Sequence, residues 1–209
     1  YAKAIPEAAR VVPVHLAWDG AEAGYARLPA DDEIRWSANA NYLHYVSNET
    51  VEGLQFNRVL GSDETLRVCD MSSDFLSRPC SAERFGLIYA HAQKNLGPAG
   101  VTVVLIRDDL LQTLPDGLPG FLDFKVQAAA HSNYNTPPVF AIYVTLLVTR
   151  WLRETIGGLA AMDAINRRKA QRVYDVIDAS AGFCRGRAAV ADRSLMNVAF
   201  NLPSPEVEQ

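Results

Sequence analysis

The sequence is poor in cysteine, histidine, long apolar runs and charge of either sign in excess. Its three cysteines, Cys69, Cys80 and Cys184, are odd in number and show no CxxC spacing. That excludes a disulfide framework and a cysteine zinc site, and points to a reducing compartment, the cytoplasm. The four histidines, His15, His44, His91 and His131, lie far apart with no HExxH pattern, so no metal site is expected. No apolar stretch approaches the roughly 18–20 residues of a membrane span. Nothing at the start reads as a secretory leader. Net charge is -4, and Lys and Arg are scattered apart from Arg167-Arg168-Lys169. Neither a nucleic-acid surface nor a membrane surface is expected.

What remains is an ordinary globular composition, 49% hydrophobic and 21% charged over 209 residues. The length suits one large domain, or one domain and part of another. The chain starts at Tyr1 inside a charged, helix-like stretch. Val11 to Trp18, VVPVHLAW, is rich in β-branched residues and predicts a strand. A polar, turn-rich segment follows. Short apolar strands are then expected from Tyr42, from Leu66 and from Phe85. Val101 to Leu111, the most apolar of them, is separated from the previous strand only by Gly-Pro-Ala-Gly. So short a link leaves no room for a helical crossover, so these two strands should be antiparallel. Thr136 before Pro137-Pro138 is a helix-start signature. Val139 to Thr155 is apolar on most faces and predicts a buried helix, stopped by Gly157-Gly158. An amphipathic helix follows, with Leu159, Met162, Ile165, Val173 and Ile177 on one face. The segment RSLMNVAFNLP predicts a last strand. The class is α/β, with a boundary near Gly157-Gly158.

Three of the strands end in polar groups: Asn48-Glu49-Thr50, Asp70 and Gln93-Lys94. If those strands are parallel, all three sets lie at one sheet edge, where open α/β sheets bind ligands. A structural ion pair between Asp70 and Lys94 is one reading. The other is a pyridoxal 5'-phosphate site. There a buried, hence neutral, lysine amine condenses with the cofactor aldehyde, and a carboxylate keeps the ring nitrogen protonated.

The segments NYLHYVSNETVEGLQF, CDMSSDFLSRP, YAHAQKNLGPAGVTVVLIRDDLL and YNTPPVFAIY resemble the phosphoserine aminotransferases. GGLAAMDAINRRKAQRVYDVID and RSLMNVAFNLP continue the likeness over nearly the whole chain. The resemblance implies a fold-type I pyridoxal-phosphate transferase, with a mixed, mostly parallel sheet flanked by helices. Residues 1–157 would be part of the large cofactor domain, and 158–209 the start of a smaller α+β domain. It implies Lys94 as the lysine that carries the cofactor and Asp70 as the partner of its ring nitrogen. Thr50 would contact the ring, and Gln93 the cofactor phosphate. Asn135 and Thr136 would reach the phosphate of a neighbouring subunit in a homodimer with shared sites.

The implied reaction interconverts O-phospho-L-serine and 2-oxoglutarate with 3-phosphohydroxypyruvate and L-glutamate, in serine biosynthesis. Bacterial members also act on 4-phosphohydroxy-threonine in vitamin B6 synthesis. The family's stacking tryptophan, Gly-rich phosphate loop and substrate-binding arginines and histidines have no match in these 209 residues. Trp18, Trp36 and Trp151 do not fall at the stacking position. The expectation is therefore an internal segment of a longer enzyme. A non-catalytic segment that keeps the fold is the alternative from another class. A cysteine desulfurase is the alternative among enzymes, and it would need a cysteine in a mobile loop. The three thiols instead read as core or near-core residues. His91 reads as a packed strand-end residue, Ser72-Ser73 as a turn, and Arg78 has no assigned place.

Overall fold

The computed structural model describes residues 3–208, which leaves Tyr1 and its expected helix position outside the described residues. The strands are β1 (Leu43–Val46), β2 (Asn48–Glu49), β3 (Leu54–Gln55), β4 (Arg67–Asp70), β5 (Leu87–His91), β6 (Thr102–Ile106), β7 (Arg185–Gly186) and β8 (Phe200–Asn201). The helices are α1 (Ala4–Ala9), α2 (Asp108–Thr113), α3 (Phe124–Ala129), α4 (Val139–Trp151), α5 (Leu159–Ala179) and α6 (Pro205–Glu208). A π-helical turn, Leu152–Ile156, extends α4.

The main sheet has the order β1-β4-β5-β6. The β1–β4 and β4–β5 pairs are parallel, and β5–β6 is antiparallel. The short link between Lys94 and Val101 thus does what its length requires. The register sets Val46 beside Asp70 and Asp70 beside Tyr89, so the three parallel strands end together. Because side chains alternate across a strand, Tyr45, Cys69 and Ile88 share one face. That face is the core: Cys69, Met71, Phe85 and Ile88 pack with Tyr45, Val59 and Phe75.

At the opposite end of β4 the guanidinium of Arg67 is buried with no carboxylate partner among the described residues. It donates instead to the carbonyl oxygens of Leu60 (2.5 Å), Gly61 (3.0 Å), Thr65 (3.1 Å) and Arg84 (2.9 Å), and also to that of Ser62. Five converging carbonyl dipoles satisfy the donors of a group that must not be buried bare. They also tie the 60–66 loop to the sheet.

Several expected elements are corrected. Val11 to Trp18 forms no strand, and Val11, Val12, Val14 and Leu16 are all exposed. β-branched residues favour a strand only where a neighbouring strand pairs with them, and here none does among the described residues. The strand expected over Val101 to Leu111 stops at Ile106, and Asp108 opens α2. The last strand shrinks to Phe200–Asn201, because Ser194 to Asn197 spend their polar groups elsewhere. Cys69 is buried, but Cys80 is exposed.

Helix α4 is the largest correction. Only Ala141 is buried along it, with Leu152 in the turn that follows. Ala141, Thr145, Val148 and Leu152 make an inner stripe at helical spacing, and Ala141 and Thr145 lie against Gly100 and Gly97. Phe140 is 74% exposed, and Val139, Ile142, Tyr143, Leu146, Leu147 and Trp151 are exposed too. The helix is as apolar as expected, yet this chain covers only one stripe of it.

Gly157, in the left-handed region at φ +89°, ends the π-helical turn and lets α5 start afresh. Helix α5 buries Met162, Asn166, Ala170, Tyr174 and Ile177. It shares Met162 and Ile177 with the expected face, but Val173 points out at 44% exposure. Ala170, Tyr174 and Ile177 pack against Cys184, Leu195 and Val198.

Candidate active site

The carboxyl ends of β1, β4 and β5 form one edge, and the chain builds the site there from the loops that leave them. Asp70, the last residue of β4, is half-buried. Its Oδ1 accepts from the backbone N–H of Ser72 (2.8 Å) and from the Ser72 hydroxyl (2.6 Å). The Ser72 Oγ in turn accepts from the backbone N–H of His91 (3.0 Å), which pins the end of β4 to the end of β5. Oδ1 is thus held, while Oδ2 takes no hydrogen bond from the described residues. A carboxylate fixed through one oxygen and open at the other can accept a proton-bearing nitrogen.

Lys94 lies three residues beyond β5, in a turn closed by the Gly97 N–H donating to the Ala92 carbonyl (2.7 Å). Its Nζ donates to the hydroxyl of Thr50, in the turn between β2 and β3. The fold therefore joins residues 44 positions apart in sequence. The Lys94 side chain is exposed in this chain, where burial was expected. Gln93 is also exposed.

Asn135 and Thr136 are exposed and stand outside the Thr50–Lys94 contact. Thr136 does not cap α4, since the cap position is Pro138. It lies two residues before the cap because both prolines stand ahead of the first turn.

A buried polar layer under this edge was not legible in the sequence. Asp74 is buried and accepts from Ser47 Oγ and from Gln55 Nε2 (2.9 Å), with Arg78 Nη2 at 3.6 Å. Burial raises its carboxyl above the ordinary carboxylate range, and those three partners oppose the rise. Arg78 also donates to the Phe56 carbonyl (2.5 Å), which gives it a place between two loops. Ser73, read as a turn residue, donates to the Asn48 carbonyl (2.8 Å) and accepts from the Asn48 amide (2.7 Å). The polar text SSD after Asp70 carried the only hint: three small polar residues after a strand end serve as local hydrogen-bond partners.

Comparison with known proteins decides the family. Residues 17–207 match the sequence profile described as aminotransferase class-V. The chain belongs to the class-V aminotransferase family. Within that family it is 48% identical to a phosphoserine aminotransferase of Rhodopirellula baltica, over 98% of this chain and 55% of that protein. The solved phosphoserine aminotransferase from Bacillus circulans subsp. alkalophilus superposes with a TM-score of 0.94 at 46% identity, covering 99% of this chain and 57% of that one. A PLP-bound phosphoserine aminotransferase from Trichomonas vaginalis gives 0.79 at 42% identity, over 85% of this chain and 49% of that one. These neighbours establish the fold-type I architecture, with its mixed, mostly parallel sheet flanked by helices. The class-V chain described here spans little more than half the length of the relatives it matches.

Proposed function

We propose that this chain is part of a pyridoxal-phosphate-dependent phosphoserine aminotransferase that exchanges the amino group between phosphoserine and 2-oxoglutarate. The observation that carries the reading is the contact of Lys94 Nζ with Thr50 Oγ1 at the strand edge that also holds Asp70. Likeness to phosphoserine aminotransferases over nearly the whole chain supplies the substrate. The residues suit the cofactor: an accessible amine, a hydroxyl beside it, and a carboxylate held by one oxygen with the other open. When bound, pyridoxal phosphate supplies an aldehyde and a cationic ring that draws electrons from the substrate carbon.

The chain's own groups do the rest. Lys94 would hold the cofactor and, once freed by substrate, would take the proton from the substrate Cα as general base and deliver it as general acid to the carbon that had been the cofactor's aldehyde. Asp70 keeps a proton on the ring nitrogen. Thr50 orients the Lys94 amine. Gln93 serves the cofactor phosphate from its own subunit. Asn135 and Thr136 serve that of a partner, which fits their exposure just ahead of α4. We assign the uncovered side of α4 to contact with a second copy of the protein, in a dimer with shared sites. Residues 1–157 belong to the large domain and 158–209 begin the smaller one. No helix among the described residues is long and apolar enough to cross a membrane. The assigned role is in serine biosynthesis, in the cytoplasm.

The test uses the full-length protein that contains this segment. Borohydride reduction followed by peptide mapping should place the cofactor on Lys94, and a coupled assay should show glutamate formed from phosphoserine and 2-oxoglutarate. Label on Lys125 or Lys169, or cofactor binding without transamination, overturns the reading.

A further inference from the structure

The turn that presents Thr50 to Lys94 is tied to the main sheet through Ser47, whose N–H donates to the Asp70 carbonyl (2.9 Å), but it lies beyond the sheet's last paired residues. Strands β2 and β3, which flank it, pair with each other over two residues, Asn48 with Gln55 and Glu49 with Leu54. A two-residue ribbon is too short to hold its own geometry. The support comes from residues 187–199, far along the chain. The Ser194 N–H donates to the Gly53 carbonyl (2.8 Å), and Leu54 bridges to Arg193. Arg187 forms an ion pair with Glu52. Gly53 is in the left-handed region at φ +73°, and a methyl group there would lie 2.8 Å from the Asn197 carbonyl oxygen. The C-terminal segment therefore closes directly on the turn.

At the centre of this contact is Asn48, which is 1% exposed. Its Nδ2 donates to Asn197 Oδ1 (2.7 Å) and to Ser73 Oγ (2.7 Å), and its Oδ1 accepts from the Ser194 hydroxyl. The Ser194 Oγ also accepts from the N–H groups of Met196 (3.0 Å) and Asn197 (2.9 Å). One amide thus ties three segments: the loop after Asp70, the strand leading to Thr50, and the C-terminal segment. A network satisfied in this way in a buried site fixes geometry more than it adds stability.

We propose that Asn48 is a positioning residue for the cofactor site. It acts through the Thr50 turn and makes the placement of the Thr50 hydroxyl against Lys94 depend on Ser194 and Asn197. The proposal rests on the pyridoxal-phosphate reading above, and it adds that the C-terminal segment sets the lysine's environment without touching it.

The test compares Asn48→Ala, Ser194→Ala, their double variant and Asn166→Ala in the full-length protein. Asn166 supplies the control: its buried amide also links α5 to the loop after Asp70, donating to the Ser77 carbonyl (2.9 Å), but not to the Thr50 turn. The readouts are pyridoxal-phosphate affinity, followed by absorbance, the pH midpoint of the lysine-linked cofactor band, and the urea midpoint. Loss of an aligned hydrogen-bond acceptor should weaken cofactor binding by roughly tenfold in Asn48→Ala. It should also shift the pH midpoint of the band, because the hydroxyl that Lys94 Nζ contacts is no longer held in place. Ser194→Ala should shift both in the same direction. The double variant should be little worse than Asn48→Ala, as for groups acting through one network. Asn166→Ala should lower the urea midpoint and leave affinity and band midpoint as in the wild type. If Asn48→Ala and Ser194→Ala lower only the urea midpoint, or if their effects on affinity add, the proposal is overturned. If the wild-type protein takes up no pyridoxal phosphate, the functional reading itself fails.

Discussion

The central sheet and helix α4 are both strongly apolar, yet they end in opposite surroundings. Cys69 and Ala90 are fully buried and Ile88 nearly so, whereas Phe140 and Tyr143 on α4 are 74% and 55% exposed. The difference lies in what the same chain can supply. The segments that connect the strands fold back on the sheet, so that Met71, Phe85, Val59 and Phe75 pack with Cys69 and Ile88. Along helix α4 the post-lysine turn lies against Ala141 and Thr145, and most of the helix's large apolar side chains stay exposed. Apolar text shows that a surface is to be covered; it does not say by which chain.

The largest effect expected tests the sheet edge. Asp70→Ala in the full-length protein should keep the fold but leave a buried cationic ring without its partner. Such a loss costs roughly 3–5 kcal/mol. Carried wholly into the transition state it slows turnover by about two to four orders of magnitude. Turnover like that of the wild type would show that Asp70 does not pair with the ring. Next is the core itself. Ile88→Ala should cost about 2–5 kcal/mol in unfolding, whatever the protein concentration. Phe140→Ala should behave differently: any loss should fade as concentration rises, since it acts through association. Equal and concentration-independent losses would erase the contrast between the two regions. A charge on the helix sharpens it further. If α4 carries the proposed dimer interface, expected to exceed about 2,000 Å², Tyr143→Asp should shift the full-length protein toward monomer by light scattering. Unchanged mass would move the interface elsewhere.

The smallest effect is electrostatic. The Arg27 guanidinium, 2.6 Å from each carboxylate oxygen, and the Ala30 N–H hold Glu33 down to about 2. A lowered folded value means that its contribution to stability is present above the ordinary carboxylate range and is lost as pH falls through about 2. The pair is exposed to solvent, so salt should screen it and the effect should be slight. Glu33→Gln should flatten this part of the acid unfolding curve. An unchanged curve would leave the pair without thermodynamic weight.

Much of the fold was legible because its signals are local. The length of the Lys94–Val101 link required an antiparallel step, and Gly157 at positive φ marked a helix boundary. The polar ends of three short strands were legible as a group once those strands were read as parallel. The polar layer beneath them was not. Ser73, Asn48, Ser194 and Asn197 are ordinary polar residues in sequence, and their partners lie as far as 149 positions away. Val11 to Trp18 misled for the same reason, since strand propensity is realised only against a neighbour.

By itself the sequence determined the four strands of the main sheet and the two long helices, the stopping point set by Gly157, and the lysine, aspartate and threonine available for chemistry. These follow from local backbone sterics and from side-chain chemistry. Only the tertiary structure decided that Lys94 meets Thr50, that Ser72 fixes Asp70, that the C-terminal segment closes on the Thr50 turn, and that α4 stays uncovered. Contacts between distant segments depend on how packed layers meet, and no local preference encodes that meeting.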